Sequence, residues 1–184
     1  FRRVLFRSDR KVWEGFKSQL LTQGFAVMSL DLRGHGESKT KNQRPLAPTL
    51  DWRSSSHEFP QDIAPALDWL KKQPRLDSHK IVVIGYDIGA NLALVSSGKF
   101  TEVRTVVAVK PTVKEALEMA GSAQDFRPHS ALVVTPDSAE ATQIKTYTRD
   151  PFQTLNQPVT GGTSQVFQSK ALTDAIFQWL KTTY

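Results

Sequence analysis

Apolar and polar positions along the chain alternate between a helical rhythm and short unbroken runs. Residues 10–23, RKVWEGFKSQLLTQ, place Val12, Trp13, Phe16, Leu20 and Leu21 on one helical face, and Gly24 suits the stop. FAVMSLDL (25–32) is a short apolar run between turn signals, as in a buried strand. RGHGES (33–38) is a glycine turn, and a polar, proline-bearing loop follows. Residues 59–73 predict an amphipathic helix with Ile63, Ala66, Leu67 and Leu70 inward and Pro60 in its first turn. HKIVVIG (79–85) is a second buried strand, and 87–97 is apolar nearly all round, which predicts a buried helix. Strands are expected at 103–111 and 130–136, and short helices at 113–120 and 139–148. Residues 171–183 form a last amphipathic helix with Leu172, Ile176, Trp179 and Leu180 as its inner stripe.

Strand and helix recur in turn, and the strands are continuously apolar. Both features predict an α/β fold: a mostly parallel sheet covered by helices on both faces. Ligands of such sheets bind beyond the carboxyl ends of the strands. Those ends carry RGHGES, the turn at Asp87 and the TPDS loop (135–138).

Composition narrows the picture. The chain has 184 residues, 39% hydrophobic and 23% charged, which suits one globular domain. No apolar run has the length of a membrane span. There is no cysteine, so disulfides, thiolate metal sites and a cysteine nucleophile are excluded, while either redox compartment, cytoplasmic or secreted, fits. Net charge is +6 with a pI near 9.7. Much of that charge lies in residues 1–8, FRRVLFRS, which resemble a translated sequencing-library adapter of the kind met in metagenomic reads. Setting Arg2, Arg3 and Arg7 aside leaves +3, so nucleic acid is not an expected partner. Residues 9–184 are then read as a single domain whose gene continues upstream.

The stretch KIVVIGYDIGANLAL (80–94) has the layout of a nucleophile elbow, a tight strand-to-helix turn that lifts one reactive side chain out of the sheet. Gly85 and Gly89 are the small residues the turn needs, Tyr86 sits between them and the tip, and Asp87 is the tip. The N–H of Ile88 is the candidate oxyanion donor. Asp87 also suits a plain helix cap.

Together with DLRGHGES, the elbow and the C-terminal helix, this ordered set resembles the α/β-hydrolase superfamily, more narrowly its bacterial esterase- and peptidase-like serine hydrolases. The resemblance implies an α/β-hydrolase fold whose N-terminal strands are missing, with a gap between the 25–30 and 80–84 strands. RRVLF is apolar enough to fill that gap by accident, and a strand is expected there. It also implies an outer oxyanion loop just before Asp9. The usual serine is replaced by Asp87. The catalytic histidine is expected shortly before the last helix, where VTGGTSQVF places Gly161 instead. The triad acid falls at Asp137, which equally suits a helix cap.

The histidines are His35, His57, His79 and His129. His79 and His129 precede strands and belong at the opposite end of the sheet. His35 reads as a structural loop residue and His57 as a solvated one. Dehalogenase- and epoxide-hydrolase-like relatives do use an elbow aspartate, but need a histidine to activate water. The resemblance thus implies a degenerate, non-catalytic or weakly active hydrolase-like protein that binds a small-molecule ligand or ester. The alternative is an active esterase/peptidase-like, dehalogenase-like or epoxide-hydrolase-like enzyme using Asp87. No metal-ligand spacing or phosphate-loop lysine occurs, so no metal or cofactor is expected. Asp31, Glu37, Asp51 and Glu58 read as solvated carboxylates, and Trp52 as a residue that lines a pocket or, the favoured reading, caps the core.

Overall fold

The computed structural model describes residues 2–7, 10–41, 44–45, 56–77 and 79–183. Ser8, Asp9, Asp51 and Trp52 lie outside them, and with them the expected outer oxyanion loop.

The chain opens with strand β1 (Arg2–Arg7), a tight helical turn (Arg10–Trp13) and helix α1 (Glu14–Thr22). Strand β2 (Ala26–Asp31) follows, then a short antiparallel pair, β3 (Thr40–Lys41) and β4 (Arg44–Pro45), and helix α2 (Phe59–Lys71). From there strand and helix alternate: β5 (Ile81–Tyr86), α3 (Ile88–Lys99), β6 (Val103–Val109), α4 (Val113–Ala120), β7 (His129–Val134), α5 (Ser138–Tyr147) and β8 (Arg149–Leu155). A single turn, α6 (Thr163–Val166), and the long helix α7 (Lys170–Thr183) close the chain.

The main sheet runs β2-β1-β5-β6-β7-β8, with every neighbouring pair parallel. β1 lies between β2 and β5, where the sequence placed a gap; Val4 is opposite Met28 on one side and Val83 on the other.

Two apolar layers form because successive side chains of a strand face opposite sides. Ile81 and Val83 pack with α2, α3 and α4, whereas Val82, Ile84 and Tyr86 pack with α1, α6 and α7. β6 and β7 divide in the same way. This two-sided burial is why the strands read as unbroken apolar runs.

The inward stripes of α2 and α7 are buried as the periodicity requires. α1 corrects one expectation. Trp13, Phe16 and Leu20 are buried, but Leu21 is 50% exposed. Its position is one residue, about 100° of helix rotation, past Leu20, which carries it off the packed face.

β8 and α6 were not foreseen. β8 is an edge strand, RDPFQTL, with only Phe152 and Leu155 half-buried. One-sided burial and an edge proline leave no apolar run to read.

A row of hydrogen bonds ties the strand ends. The N–H of Asp87 donates to the carbonyl of Val109 at 2.9 Å, that of Lys110 to Val134 at 2.8 Å, and that of Thr135 to Leu155 at 3.2 Å. The residue just past each strand is thus pinned to the last carbonyl of its neighbour, and the carboxyl edge becomes a fixed shelf. At the other end, Trp179 Nε1 donates to Thr105 Oγ1 at 2.9 Å, and Thr105 Oγ1 to the Ser130 carbonyl at 2.7 Å. These bonds let an indole and a hydroxyl be buried without an orphaned donor.

Candidate functional site

β5 delivers the elbow to the shelf. Its six residues are buried throughout, and the chain then reverses into α3 within one residue. Gly85 is dictated by packing: a Cβ there would overlap the carbonyl of Gly89 and lie 2.6 Å from the N of Ala90. The strand and the first turn of the helix are closer than any side chain allows.

The turn is made at Asp87, with φ 57° and ψ −123°. A non-glycine residue held there costs on the order of 1–3 kcal/mol, and such residues cluster at functional sites. Asp87 is exposed. Its side chain makes no hydrogen bond to the helix it precedes, which corrects the capping alternative. Its backbone does that work instead: the Asp87 carbonyl accepts from Ala90 at 2.8 Å and from Asn91 at 3.3 Å. The carboxylate is therefore presented at the shelf. Ile88 is the first residue of α3, and the first N–H groups of a helix have no intrahelical acceptor.

Behind the elbow, buried Asn91 fixes the loop after β6. Its Nδ2 donates to Glu115 at 2.9 Å, and its Oδ1 accepts from the Thr112 N–H at 2.8 Å. Glu140, from α5, accepts from the N–H of Val113. This loop carries Lys110, exposed and with φ 59°. Tyr86 is opposite Val109 in the register, so Asp87 and Lys110 are the next residues on neighbouring strands. Two non-glycine residues with positive φ thus stand side by side on the shelf. The sequence analysis missed Lys110; the signal available was a lone cation directly after an apolar strand, in VAVKP.

Gly161 is held against the elbow from the other face. Tyr86 Oη donates to its carbonyl at 3.0 Å. Gly161 has φ 87°, and a Cβ there would overlap Oε1 of Gln165. That same Gln165 oxygen accepts from the N–H of Gly162 at 3.2 Å and caps α6. The positive φ favours glycine, while the Gln165 oxygen beside it is the movable end of an exposed side chain.

Asp137 stands after β7. Its Oδ1 accepts from the N–H groups of Ala139 at 2.9 Å and Glu140 at 3.1 Å, so it caps α5. With β6 between β5 and β7, the strand ends bearing Asp87 and Asp137 are roughly 10 Å apart.

The histidines are dispersed. His129 is the first residue of β7 and His79 is on the turn before β5, both at the amino edge. Burial, reinforced by the charges of Arg149 and Arg104, holds the His129 imidazole below its ordinary pKa. His57 is exposed ahead of α2. His35 is on the carboxyl side, but β1 separates β2 from β5, and its Nδ1 lies 3.0 Å from the Arg33 carbonyl within its own turn.

The glycine turn after β2 is organised by Asp31. Its side chain is 2% exposed and accepts from Arg10 N at 2.7 Å, Arg10 Nη1 at 2.9 Å and Glu37 N at 3.0 Å. Gly36 is required because a Cβ would overlap that carboxylate. Arg33 ties the turn to α2 through Asp62 at 2.9 Å and through Glu58, and the Asp62 hydrogen bond raises the guanidinium pKa further. All three of Asp31, Glu37 and Glu58 pair with arginines, but only Asp31 is buried, which corrects its reading as a solvated carboxylate; the Glu37 and Glu58 side chains remain exposed. No group of carboxylates and histidines with metal-binding geometry occurs among the described residues. No helix among them is long and apolar enough to cross a membrane.

A parallel sheet covered on both faces, with a strained elbow after its central strand, defines the α/β-hydrolase class of architecture. The family model for the alpha/beta hydrolase fold matches residues 8–162, and the chain belongs to that family. No curated protein matches it in sequence. Among solved structures, an acetyl xylan esterase from a Paenibacillus species is 14% identical with a TM-score of 0.72, over 98% of this chain and 73% of that one. An esterase of Pyrococcus furiosus is 17% identical with a TM-score of 0.71, over 98% and 82%. An alpha/beta hydrolase from a Penicillium species is 13% identical with a TM-score of 0.75, over 99% and 89%. At these identities the likeness is one of fold.

Proposed function

We propose that this α/β-hydrolase family member has a degenerate catalytic site. It binds a small ester-like ligand at the Asp87 shelf and turns it over weakly or not at all. The observation that carries the reading is the loop at Gly161. Gly161, where the family resemblance leads one to expect the histidine, has φ 87°, its carbonyl accepts from Tyr86, and the end of the Gln165 side chain lies beside it. Without a histidine, neither a hydroxyl nucleophile nor a hydrolytic water is activated. Asp137 has no imidazole to orient and serves α5 as a cap. Loss of a triad member costs several orders of magnitude in rate, leaving what binding and an oxyanion donor supply. The solved esterases of this fold support an ester as the ligand class.

A second reading is favoured by Asp87 itself, whose carboxylate is exposed and makes no cap bond. On this reading the carboxylate attacks an alkyl halide or epoxide carbon, displacing halide or opening the ring, and forms an ester.

One experiment separates the two. The protein is incubated with p-nitrophenyl acetate, an alkyl bromide and styrene oxide, and product and intact mass are followed. The proposed reading expects at most slow turnover that survives Asp87→Asn, and no covalent adduct at Asp87. Multiple turnover that disappears in Asp87→Asn overturns it and establishes the second reading.

A further inference from the structure

A separate cavity lies at the amino edge of the sheet, about six strand residues, roughly 20 Å, from the elbow. It has a volume of about 570 Å³ and is walled by Lys99, Gln124, Asp125, Arg127 and Arg149, among others. Lys99 ends α3, Arg127 precedes β7 and Arg149 begins β8, so three separate segments bring cations to one concavity.

Backbone N–H groups close part of the helix ends around the cavity, and Lys99 lies in the last turn of α3. α4 is capped by its own backbone, the N–H of Gly121 reaching the carbonyls of Leu117 and Glu118. The last turn of α3 is capped by the N–H of Phe100 on the Ser96 carbonyl. Arg127 spends its Nε on the Gln124 carbonyl at 2.6 Å, which fixes the guanidinium at the cavity wall. Lys99 and Arg149 have no carboxylate partner among the described residues. The one carboxylate in the wall, Asp125, accepts from Ser122 Oγ at 2.7 Å. Three cations against one carboxylate leave an excess of two positive charges.

We propose that this cavity is a binding site for a phosphate dianion, free or carried on a small organic molecule. Two guanidiniums offer paired N–H donors that match the oxygens of a phosphate, and the lysine adds a point charge. A dianion matches the excess charge of the wall. His129 opens β7 opposite Arg149 in the register and feels that charge, so it is a built-in reporter.

The test is an NMR titration of the whole chain at pH 7.5 with inorganic phosphate, glycerol 3-phosphate and citrate. Each is compared with sodium chloride at matched ionic strength. Backbone amides of Lys99, Arg127 and Arg149 are followed, together with a His129 ring titration with and without saturating ligand. The expected result is saturable shifts at these residues with phosphate ligands, and a His129 midpoint that moves up, because a bound anion offsets Arg149. Binding should weaken about tenfold in Arg127→Gln/Arg149→Gln, and less in Lys99→Gln, an exposed helix-end change that leaves the fold intact. Tighter glycerol 3-phosphate than inorganic phosphate would assign the site to an organic phosphate, and the reverse to the free ion. Shifts that sodium chloride reproduces, affinity unchanged in both variants, or citrate binding as tightly as phosphate would each overturn the proposal.

Discussion

Tyr86 and Gly161, 75 residues apart in sequence, are joined by a 3.0 Å hydrogen bond from the phenol to the glycine carbonyl. This bond couples the elbow to the loop that precedes α6. Tyr86 is otherwise buried in the apolar layer under α1 and α7, so the ring is fixed and only the hydroxyl reaches the loop. Tyr86→Phe keeps the packing and deletes the bond. It should cost about 0.5–1.5 kcal/mol of stability and speed amide exchange in residues 157–162 more than in β5. Denaturant unfolding and hydrogen exchange check this; equal exchange in the loop would remove the coupling.

Restoring the family histidine should fail in a specific way. Gly161→His places a side chain at φ 87° and against Gln165, at a cost of about 1–2 kcal/mol. The double change Asp87→Ser, Gly161→His should therefore show little gain in p-nitrophenyl acetate hydrolysis. Adding Gln165→Ala removes the obstructing oxygen, and the triple variant should exceed the double. Equal rates would mean that Gln165 does not block the position.

Strain at the shelf predicts that function-blind substitutions stabilise. Asp87→Gly and Lys110→Gly each relieve a positive φ and should raise stability by about 1 kcal/mol, although glycine also enlarges the unfolded ensemble. Asp87→Val should destabilise, because a β-branched side chain fits that backbone worst. Gly85→Ala meets backbone rather than a movable side chain and should cost about 3 kcal/mol or more. Thermal melts of the four variants give the ranking directly.

His129 predicts an acid-side loss of stability. Its folded pKa is lowered from the usual 6.5, chiefly by burial, so the unfolded chain binds the proton more readily. The stability is fully present above pH 6.5 and falls as pH drops from there through the folded pKa. His129→Gln should flatten the pH dependence of unfolding free energy on the acid side of pH 6.5. An unchanged slope would place the effect elsewhere.

Most of the sheet was legible because its strands are buried on both faces and its helices carry one apolar stripe. Ile81–Tyr86 and Val103–Val109 have no polar interruption wide enough to mislead, and Lys170–Thr183 repeats its apolar positions every three to four residues. β8 was illegible because an edge strand needs only half a pattern, and α6 because one turn made by a capping glycine and Gln165 has no period at all.

The sequence by itself determined the elbow. A Gly-Tyr-Asp-Ile-Gly turn between an apolar strand and an apolar helix has one compact solution, since only glycine permits the approach of Gly85 to Gly89. It also determined that Asp87 stands at the tip and that no histidine follows His129. Tertiary structure alone decided what those residues are free to do. It used the Asp87 backbone to cap α3 and left the carboxylate exposed, spent Asp137 on α5, and took Asp31 into an ion pair with Arg10. It also set Lys110 beside Asp87 and closed the Gly161 loop with Tyr86 and Gln165. The caps at Asp87, Asp137 and Gln165 are local. The Asp31–Arg10 pair, the Asp87–Lys110 neighbours and the Tyr86–Gly161 bond join segments distant in sequence, and the strand order that brings them together is not written in the local pattern of any one segment.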